Sequence, residues 1–238
     1  MPILVSIASW ILFPVYLVQG LWISSRADRS FPAEGVVEGS VEGKAPFINL
    51  LVIGDSSAAS AGIAVRADGL ASQLARQLNE KTGRAVHYTT SGHHGAVSEE
   101  IRDFVVPNTK WQDYSHIVIA LSTNDIKNFH TVRRWVRGFG GLLFALHARF
   151  PLAQIWWMNP FDFRYVPRLA QPLTTILNLR AYLFSRAGSE LCEERGAHAT
   201  PALTNIKPGD FCPDGFHAGE KGFQKWAEQL STYMVEKL

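Results

Sequence analysis

Short apolar runs alternate with longer amphipathic segments from residue 47 to the end of the chain. Five of the apolar runs have the length of buried strands, and they cover residues 48–53, 85–89, 116–121, 154–158 and 198–202. The amphipathic segments predict helices over residues 70–81, 98–105, 131–149, 173–195 and 218–237. Parallel strands need crossover connections, which helices supply. We therefore expect a three-layer α/β/α domain in residues 47–238, built around a five-stranded parallel sheet.

The start of the chain has a different pattern. Residues 2–23 contain no charged side chain and are mostly large and apolar. A helix of this length, rising about 1.5 Å per residue, is long enough to cross a hydrocarbon core of roughly 30 Å. The pattern predicts a single-pass membrane anchor over residues 1–25, in which Pro14 can kink the helix. A cleaved signal peptide is the alternative, and it would make the protein secreted or periplasmic. A signal peptide usually begins with a positively charged stretch, whereas here no Lys or Arg precedes the apolar run, which favours the anchor.

The residues after this segment bear on topology and on domain boundaries. The first positive charges, Arg26 and Arg29, follow the predicted span, which favours the cytoplasmic face of the membrane for the remaining chain. Residues 26–46 are rich in Gly, Glu, Pro and Val, a composition typical of a linker.

Charge distribution and cysteine spacing limit which kinds of binding partner the chain can have. The 23 basic and 21 acidic residues are interspersed and form no basic stripe, so we expect no nucleic-acid partner. Neither Cys192 nor Cys212 has a neighbouring Cys or His at zinc-ligand spacing, and we expect no metal and no cofactor. The two cysteines can pair in an oxidising compartment and stay thiols in the cytosol.

Polar residues and glycines follow four of the predicted strands. In open α/β sheets, ligands bind at this end of the strands. The four groups are Gly54-Asp55-Ser56-Ser57, Ser91-Gly92-His93-His94-Gly95, Ser122-Thr123-Asn124-Asp125 and Asp214-Gly215-Phe216-His217. Each group alone is typical of a turn or a helix cap.

Together, however, the four groups contain every part of a serine hydrolase site. Ser56 can act as the nucleophile and His217 as its base, with Asp214 three residues earlier to orient the imidazole. The backbone N–H of Gly92 and the side-chain amide of Asn124 can stabilise the oxyanion. A shift of one residue would make Ser57 the exposed hydroxyl instead.

In this order, the groups resemble the motifs of the SGNH, or GDSL-type, hydrolase family. The matching residues are Gly54-Asp55-Ser56, Gly92-x-x-Gly95, Asn124-Asp125 and Asp214-x-x-His217. The resemblance covers residues 48–238 and implies a flavodoxin-like three-layer fold and an esterase or lipase mechanism through an acyl-enzyme. It also implies an oxyanion hole formed by Ser56, Gly92 and Asn124.

Two positions depart from the family pattern. Ser122 stands where the family usually has Gly, and Thr90 stands where an Asn usually braces the second loop. Neither departure removes a catalytic group.

Two other hydrolase classes share part of this pattern. Residues 54–58 nearly match the G-x-S-x-G elbow of α/β-hydrolases, but that fold places several strands before the elbow and here only one precedes it. Metallophosphoesterases also use Gly-Asp and Asn motifs, but the chain lacks their upstream Asp-x-His and their Asn-His pair.

The loop after the fourth strand, residues 159–172, is a candidate for substrate binding. Phe161, Phe163 and Tyr165 can line an acyl pocket, and Arg164 and Arg168 can meet a phosphate or carboxylate head group. The alternative is that this loop only packs onto its own domain.

The sequence thus predicts a membrane-anchored serine esterase or lipase whose substrate is a lipid, a lysophospholipid or another small acyl ester. An O-acyltransferase using the same residues is the alternative, since a hydroxyl acceptor can replace water in deacylation. A tethered, non-catalytic binding module is the alternative from another class, although the intact set of Ser56, Asp214 and His217 argues against it.

Overall fold

The computed structural model of the chain describes residues 2–24, 33–35 and 37–237. These residues contain a six-stranded mixed sheet. Its strands are β1 (Glu38–Val41), β2 (Lys44–Gly54), β3 (Arg84–Gly92), β4 (His116–Ala120), β5 (Gln154–Met158) and β6 (His198–Thr200). The strand order is β1-β3-β2-β4-β5-β6; β1 runs antiparallel to β3 and all other neighbours are parallel.

The prediction of a five-stranded, wholly parallel sheet is therefore wrong by one strand. The five predicted strands correspond to β2 to β6, and the additional strand, β1, lies inside the segment interpreted as a linker, residues 26–46. As an edge strand of only four residues, β1 alternates between exposed and half-buried positions and buries no side chain fully. It has no apolar run for a hydrophobic pattern to detect.

Helices cover both faces of the sheet and make the expected three layers. They are α3 (Leu70–Thr82), α4 (Ser98–Glu100), α5 (Val106–Asn108), α6 (Thr123–Lys127), α7 (Val132–Arg149), α8 (Leu173–Glu194) and α9 (Glu220–Val235). A π-helical turn, Ile101–Val105, joins α4 to α5. The short α6 is not among the predicted helices, because five residues are too few to show a periodicity.

The core divides into two parts, one on each face of the sheet. Alternate residues of β2 point to opposite faces, so that Leu50 packs with α3 and α9 while Leu51 packs with α7 and α8. On α3, Leu70, Leu74 and Leu78 repeat every four residues along one face of the helix and are fully buried.

The carboxyl ends of the three central strands meet at one edge. Gly54, the last residue of β2, lies opposite Gly92 of β3 and Ala120 of β4. This register brings the first three sequence motifs to the same place.

The predicted single anchor helix over residues 1–25 is not found. Instead, two helices, α1 (Pro2–Ile11) and α2 (Phe13–Ser24), meet at Leu12 with a bend of 58°. Pro14 explains the break, because proline lacks the N–H that would bond to the carbonyl of Trp10 and its ring clashes with the preceding turn. Among the described residues no single helix is long and apolar enough to cross a membrane; α1 and α2 meet that requirement only when taken together.

One side of the α1–α2 pair packs against the rest of the chain. The rings of Trp10, Phe13 and Tyr16 surround Phe129 with centroid distances of 4.7 to 5.0 Å. Tyr16 also donates a hydrogen bond from its hydroxyl to the carbonyl of Lys127. Ten large apolar side chains of the pair are nevertheless exposed: Ile3, Leu4, Ile7, Trp10, Ile11, Val15, Leu17, Val18, Leu21 and Trp22. Arg26 and Arg29, on which the predicted orientation depends, lie outside the described residues.

Candidate active site

A tight turn begins directly after β2 and presents Ser56. A Cβ atom on Gly54 would lie 1.9 Å from the carbonyl oxygen of Ala120, so only glycine fits at this position. The turn then closes on itself, with the N–H of Ala61 donating to the carbonyl of Ser56 at 2.9 Å. The sequence of small residues after Ser56 therefore serves a compact turn packed against neighbouring backbone.

The two serines of this turn differ in their hydrogen bonds. Both are half-buried. The backbone N–H of Ser57 donates to Asp55 Oδ1 at 3.0 Å, and its hydroxyl is also hydrogen-bonded to that carboxylate. The hydroxyl of Ser56 forms no hydrogen bond within the described residues, His217 included. Ser56 is thus the serine whose hydroxyl remains available.

The loop before α9 holds a closely coupled Asp and His. The distance between His217 Nδ1 and Asp214 Oδ2 is 2.6 Å. Asp214 Oδ1 accepts from the backbone N–H groups of Phe216 and His217, at 2.8 and 2.9 Å, which fixes the carboxylate on the imidazole. With Nδ1 donating to Asp214, the lone pair lies on Nε2, which makes Nε2 the basic atom.

Gly62 connects the serine turn to this loop. A Cβ atom on Gly62 would lie 2.9 Å from the Cβ of His217 and 2.8 Å from the Sγ of Cys212. Gly62 directly follows Ala61, whose backbone N–H donates to the carbonyl of Ser56. The contact of Gly62 with His217 therefore places the serine turn beside the imidazole. The structure thus brings Ser56, Asp214 and His217 to one edge of the sheet.

Cys212 takes part in this group, whereas the sequence left open whether it pairs with Cys192 or stays a thiol and gave it no place in the site. Cys212 and Cys192 are both buried free thiols. The Sγ of Cys212 donates to Asp214 Oδ1 at 2.9 Å. Burial, with a further contribution from the bond to Asp214, raises the pKa of the Cys212 thiol to about 11.

Ligand atoms of Cys212, Asp214 and His217 all lie within 4.8 Å of one another, which is close enough to raise the question of a metal site. The hydrogen bonds from the thiol and the imidazole already occupy the carboxylate.

Gly92 packs against the serine turn from β3. A Cβ atom on Gly92 would lie 2.3 Å from the backbone nitrogen of Ala59, so this close approach requires glycine. Thr90, which replaces the usual Asn of the family, donates from its hydroxyl to the carbonyl of Ala58. Although it departs from the family pattern, Thr90 therefore still holds the serine turn from β3.

Asn124 lies at the start of α6 and is 4% exposed. Its Nδ2 donates to the carbonyl of Ala96 at 2.9 Å and to Asp55 Oδ2 at 3.4 Å. Donation to an oxyanion therefore requires the longer bond, to Asp55, to be exchanged for one to the substrate.

Asp55 is the buried carboxyl beneath this group and is 2% exposed. Burial raises its pKa to about 6, while hydrogen bonds from Ser57 and the positive charge of Lys127 oppose that rise. Asp55 therefore titrates close to neutral pH, and protonation weakens it as an acceptor for Asn124.

Two further features fix α6. Asp125 accepts from the N–H and the hydroxyl of Ser98, at 2.9 and 3.0 Å, and lies 3.0 Å from His130 Nδ1. Ser122, directly before α6, has φ of 125°, which L side chains rarely adopt. The serine thus occupies a backbone conformation that suits the glycine usual at this position.

The predicted substrate loop divides into residues near the site and residues away from it. Phe161 lines a small cavity with Phe211, Ala218 and Trp226, next to the loop that carries His217. The cavity has a volume of about 10 Å³, which is room for a single water molecule and too little for an acyl chain. Phe163 is buried in the core, 1% exposed, and has no free surface for a substrate, while Tyr165 is partly exposed. The two residues differ in exposure because the loop packs the ring of Phe163 onto its own domain.

The two arginines of this loop are both engaged. Arg164 is paired with Asp162. Arg168 donates from Nη1 to the carbonyl of Asp214 at 2.9 Å. Their charges are therefore used within the protein.

His94 and Lys127 complete the surroundings of the imidazole. The ring of His94 lies 5.3 Å from that of His217, centroid to centroid. Burial, assisted by the charges of His217 and Lys127, lowers the pKa of His94, which keeps it neutral at pH 7. Lys127 is not identified from the sequence pattern. Its position three residues after Asn124 would place it on the same face of a helix as that residue.

Comparison with known proteins identifies the family and the fold of the chain. The sequence model of the GDSL-like lipase/acylhydrolase family matches residues 52–225. No curated protein sequence is significantly similar to the chain.

Several solved structures share the fold. TesA is 17% identical, with a TM-score of 0.64 and coverage of 80% of this chain and 99% of TesA. The psychrotrophic esterase EstA from Pseudoalteromonas sp. is 17% identical, with a TM-score of 0.60 and coverage of 79% and 96%. The acetyl xylan esterase Axe2 from Geobacillus stearothermophilus is 16% identical, with a TM-score of 0.57 and coverage of 77% and 92%. At these identities the likeness extends to the fold alone.

Proposed function

This chain belongs to the GDSL-like lipase/acylhydrolase family and is a carboxylic ester hydrolase, and from that premise we propose that Ser56 is its nucleophile. Ser56 attacks the carbonyl carbon of an acyl ester while His217 Nε2 takes the hydroxyl proton. His217 then passes this proton to the leaving alcohol, and water hydrolyses the acyl-enzyme. The observation that carries the proposal is the 2.6 Å contact between Asp214 and His217 beside the serine turn.

The oxyanion that forms during attack needs hydrogen-bond donors. We assign these to the N–H groups of Ser56 and Gly92 and to the amide of Asn124. The close packing of Gly92 on the serine turn and the position of Asn124 above Asp55 support the assignment. Loss of one such donor typically costs about 10²- to 10³-fold in rate.

The nucleophile is tested with the purified full-length protein, p-nitrophenyl esters of increasing acyl length, and two single variants. Ser56→Ala should lower kcat by about 10⁴-fold or more, because no other hydroxyl takes its place. Ser57→Ala is the matched control and should keep most of the activity, since its hydroxyl is bonded to Asp55. Loss of activity in Ser57→Ala with activity retained in Ser56→Ala would reverse the assignment.

We propose a lipid or another acyl ester as the substrate. The exposed apolar side of α1 and α2 suits a lipid surface. Arg26 and Arg29, which follow this pair in the sequence, favour the cytoplasmic face for the remaining chain. The acyl-length profile of the same assay measures which acyl chains the site accepts.

Transfer to a hydroxyl acceptor uses the same residues. Product analysis in the presence of candidate acceptor alcohols separates the two reactions: free acid reports hydrolysis, and a new ester reports transfer.

A further inference from the structure

Lys127 ends α6, three residues after Asn124. Residues at this spacing lie on the same face of a helix, with Cβ atoms roughly 5 to 6 Å apart. The backbone at Lys127 is held in place, because the hydroxyl of Tyr16 donates to its carbonyl and Tyr16 itself packs on Phe129. The geometry of α6 therefore directs Lys127 to the same side as the proposed oxyanion donor.

The ammonium group of Lys127 has no partner in the part of the chain that the structure describes: it makes no hydrogen bond and no ion pair there. Other cations around the site are engaged, Arg164 with Asp162, Arg134 with Glu99 and Arg168 with a backbone carbonyl. Although the side chain of Lys127 reaches solvent, the protein around it lowers the pKa of its ammonium by desolvation.

Among the neighbours of Lys127, Asp55 is the carboxyl group whose charge acts on its ammonium, without forming an ion pair with it in the described part of the chain. Its positive charge acts on His94, whose ring stacks near that of His217, and on Asp55, which contacts Asn124. His94 is neutral at pH 7 and Asp55 titrates near 6. The carboxylate of Asp214 is already hydrogen-bonded to His217 and Cys212.

We propose that Lys127 binds an anionic group, a phosphate or a carboxylate, carried by the acyl-ester substrate close to its ester bond. This inference rests on the proposed function and specifies its substrate class. A partly desolvated ammonium gains more from an anion than a fully hydrated one does, because the effective dielectric constant around it is lower. The proposal also replaces Arg164 and Arg168, the sequence-based candidates for a head group, with a cation that forms no hydrogen bond or ion pair among the described residues.

Two matched pairs of substrates test this proposal. The first pair is 1-octanoylglycerol and 1-octanoylglycerol 3-phosphate, which differ by a phosphate on the alcohol side. The second pair is p-nitrophenyl butyrate and mono-p-nitrophenyl glutarate, which differ chiefly by a carboxylate on the acyl side. The full-length protein is compared with Lys127→Met, Lys127→Arg and the control Lys44→Met, whose site lies at the opposite end of β2.

The expected result is a preference of the wild type for the anionic member of one pair, and the pair concerned identifies the anion. Lys127→Met should lower the ratio of kcat/KM for the anionic ester to that for the neutral one by about tenfold, mainly through KM. Lys127→Arg should retain most of this preference and Lys44→Met all of it. A ratio that Lys127→Met leaves unchanged in both pairs would overturn the inference.

A binding measurement separates this inference from the proposed function. Calorimetry of 1-octanoylglycerol 3-phosphate with the Ser56→Ala variant, with and without Lys127→Met, needs no turnover. If the wild type hydrolyses no ester, the proposed function fails, while binding weakened by Lys127→Met supports anion recognition. Binding that Lys127→Met does not weaken would refute it.

Discussion

At the residue scale, the site depends on a few positions where backbone and charge are constrained. Gly54 and Gly92 allow backbone contacts that no side chain permits. Asp55 is buried with a raised pKa, and Ser122 has a conformation typical of glycine. The last two positions carry a cost in stability that substitution can measure.

Asp55 should make the protein less stable as pH rises. Its pKa is about 6 in the folded state and near 3.9 when unfolded, so the folded state binds more protons between these values. Its contribution to stability is fully present below pH 4 and is lost as pH rises through 6. The loss at pH 7 is on the order of 3 kcal/mol.

Urea unfolding of the wild type and Asp55→Asn at pH 4, 5, 6 and 7 measures this effect. The stability of Asp55→Asn relative to the wild type should increase over that range, since Asn carries no charge. A difference that stays constant with pH would contradict the raised pKa.

Ser122→Gly should stabilise the protein. A non-glycine residue in this region of φ costs roughly 1 to 3 kcal/mol, whereas the added freedom of glycine in the unfolded chain costs about 0.4 to 1. The free energy of unfolding should therefore increase by about 1 kcal/mol. Ser40→Gly on β1, where φ is not positive, is the matched control and should lower it. A decrease in both variants would show that the conformation of Ser122 is not strained.

At the element scale, α6 carries one proposed oxyanion donor and the proposed anion-binding residue, and it contacts several other elements. It carries Asn124, Asp125 and Lys127 within five residues. Ser98 holds it on one side and Tyr16 on the other, while Arg180 of α8 donates to the carbonyls of Ile126 and His130. The α1–α2 pair is thus packed against the element that bears the proposed oxyanion donor.

The outward side of α1 and α2 should bind lipid bilayers. Leu4 and Leu21 are 70% and 63% exposed, and burying one leucine contributes roughly 1.5 to 3 kcal/mol. In co-sedimentation with phosphatidylcholine vesicles, the double variant Leu4→Lys/Leu21→Lys should partition at least tenfold more weakly than the wild type.

Leu152→Lys is the control for that experiment, because Leu152 is 84% exposed and lies outside the pair. Equal partition of all three proteins would remove the support for a lipid-binding role. An intact-mass measurement of the natural protein that lacks residues 1–24 would favour the signal-peptide alternative.

At the scale of the whole molecule, the candidate site is assembled where the carboxyl ends of three neighbouring strands meet. Ser56, Gly92 and Asn124 follow three adjacent strands, and His217 arrives from a loop more than 90 residues after Asn124. Two core halves, one on each face of the sheet, hold these strands in register. A local change at the site therefore leaves the support of the sheet in place.

The sequence by itself determined the order of the five parallel strands and the main helices along the chain, the three layers and the set of candidate catalytic residues. It did so because hydrophobic period and short motifs are local properties: a buried strand such as β4 reads as a continuous apolar run. Ser56, Asp214 and His217 were found in the same way, from motifs of three or four residues at the ends of predicted elements.

Only the tertiary structure decided what depends on distant neighbours. The edge strand β1 has no apolar run, and it is a strand because β3 offers it hydrogen-bond partners. The hydrogen bond from Cys212 to Asp214 and the contact of Tyr16 with Lys127 depend on how loops and helices meet. Burial likewise raised the pKa of Asp55 and removed Phe163 from the surface, because the exposure of a side chain is set by everything packed around it.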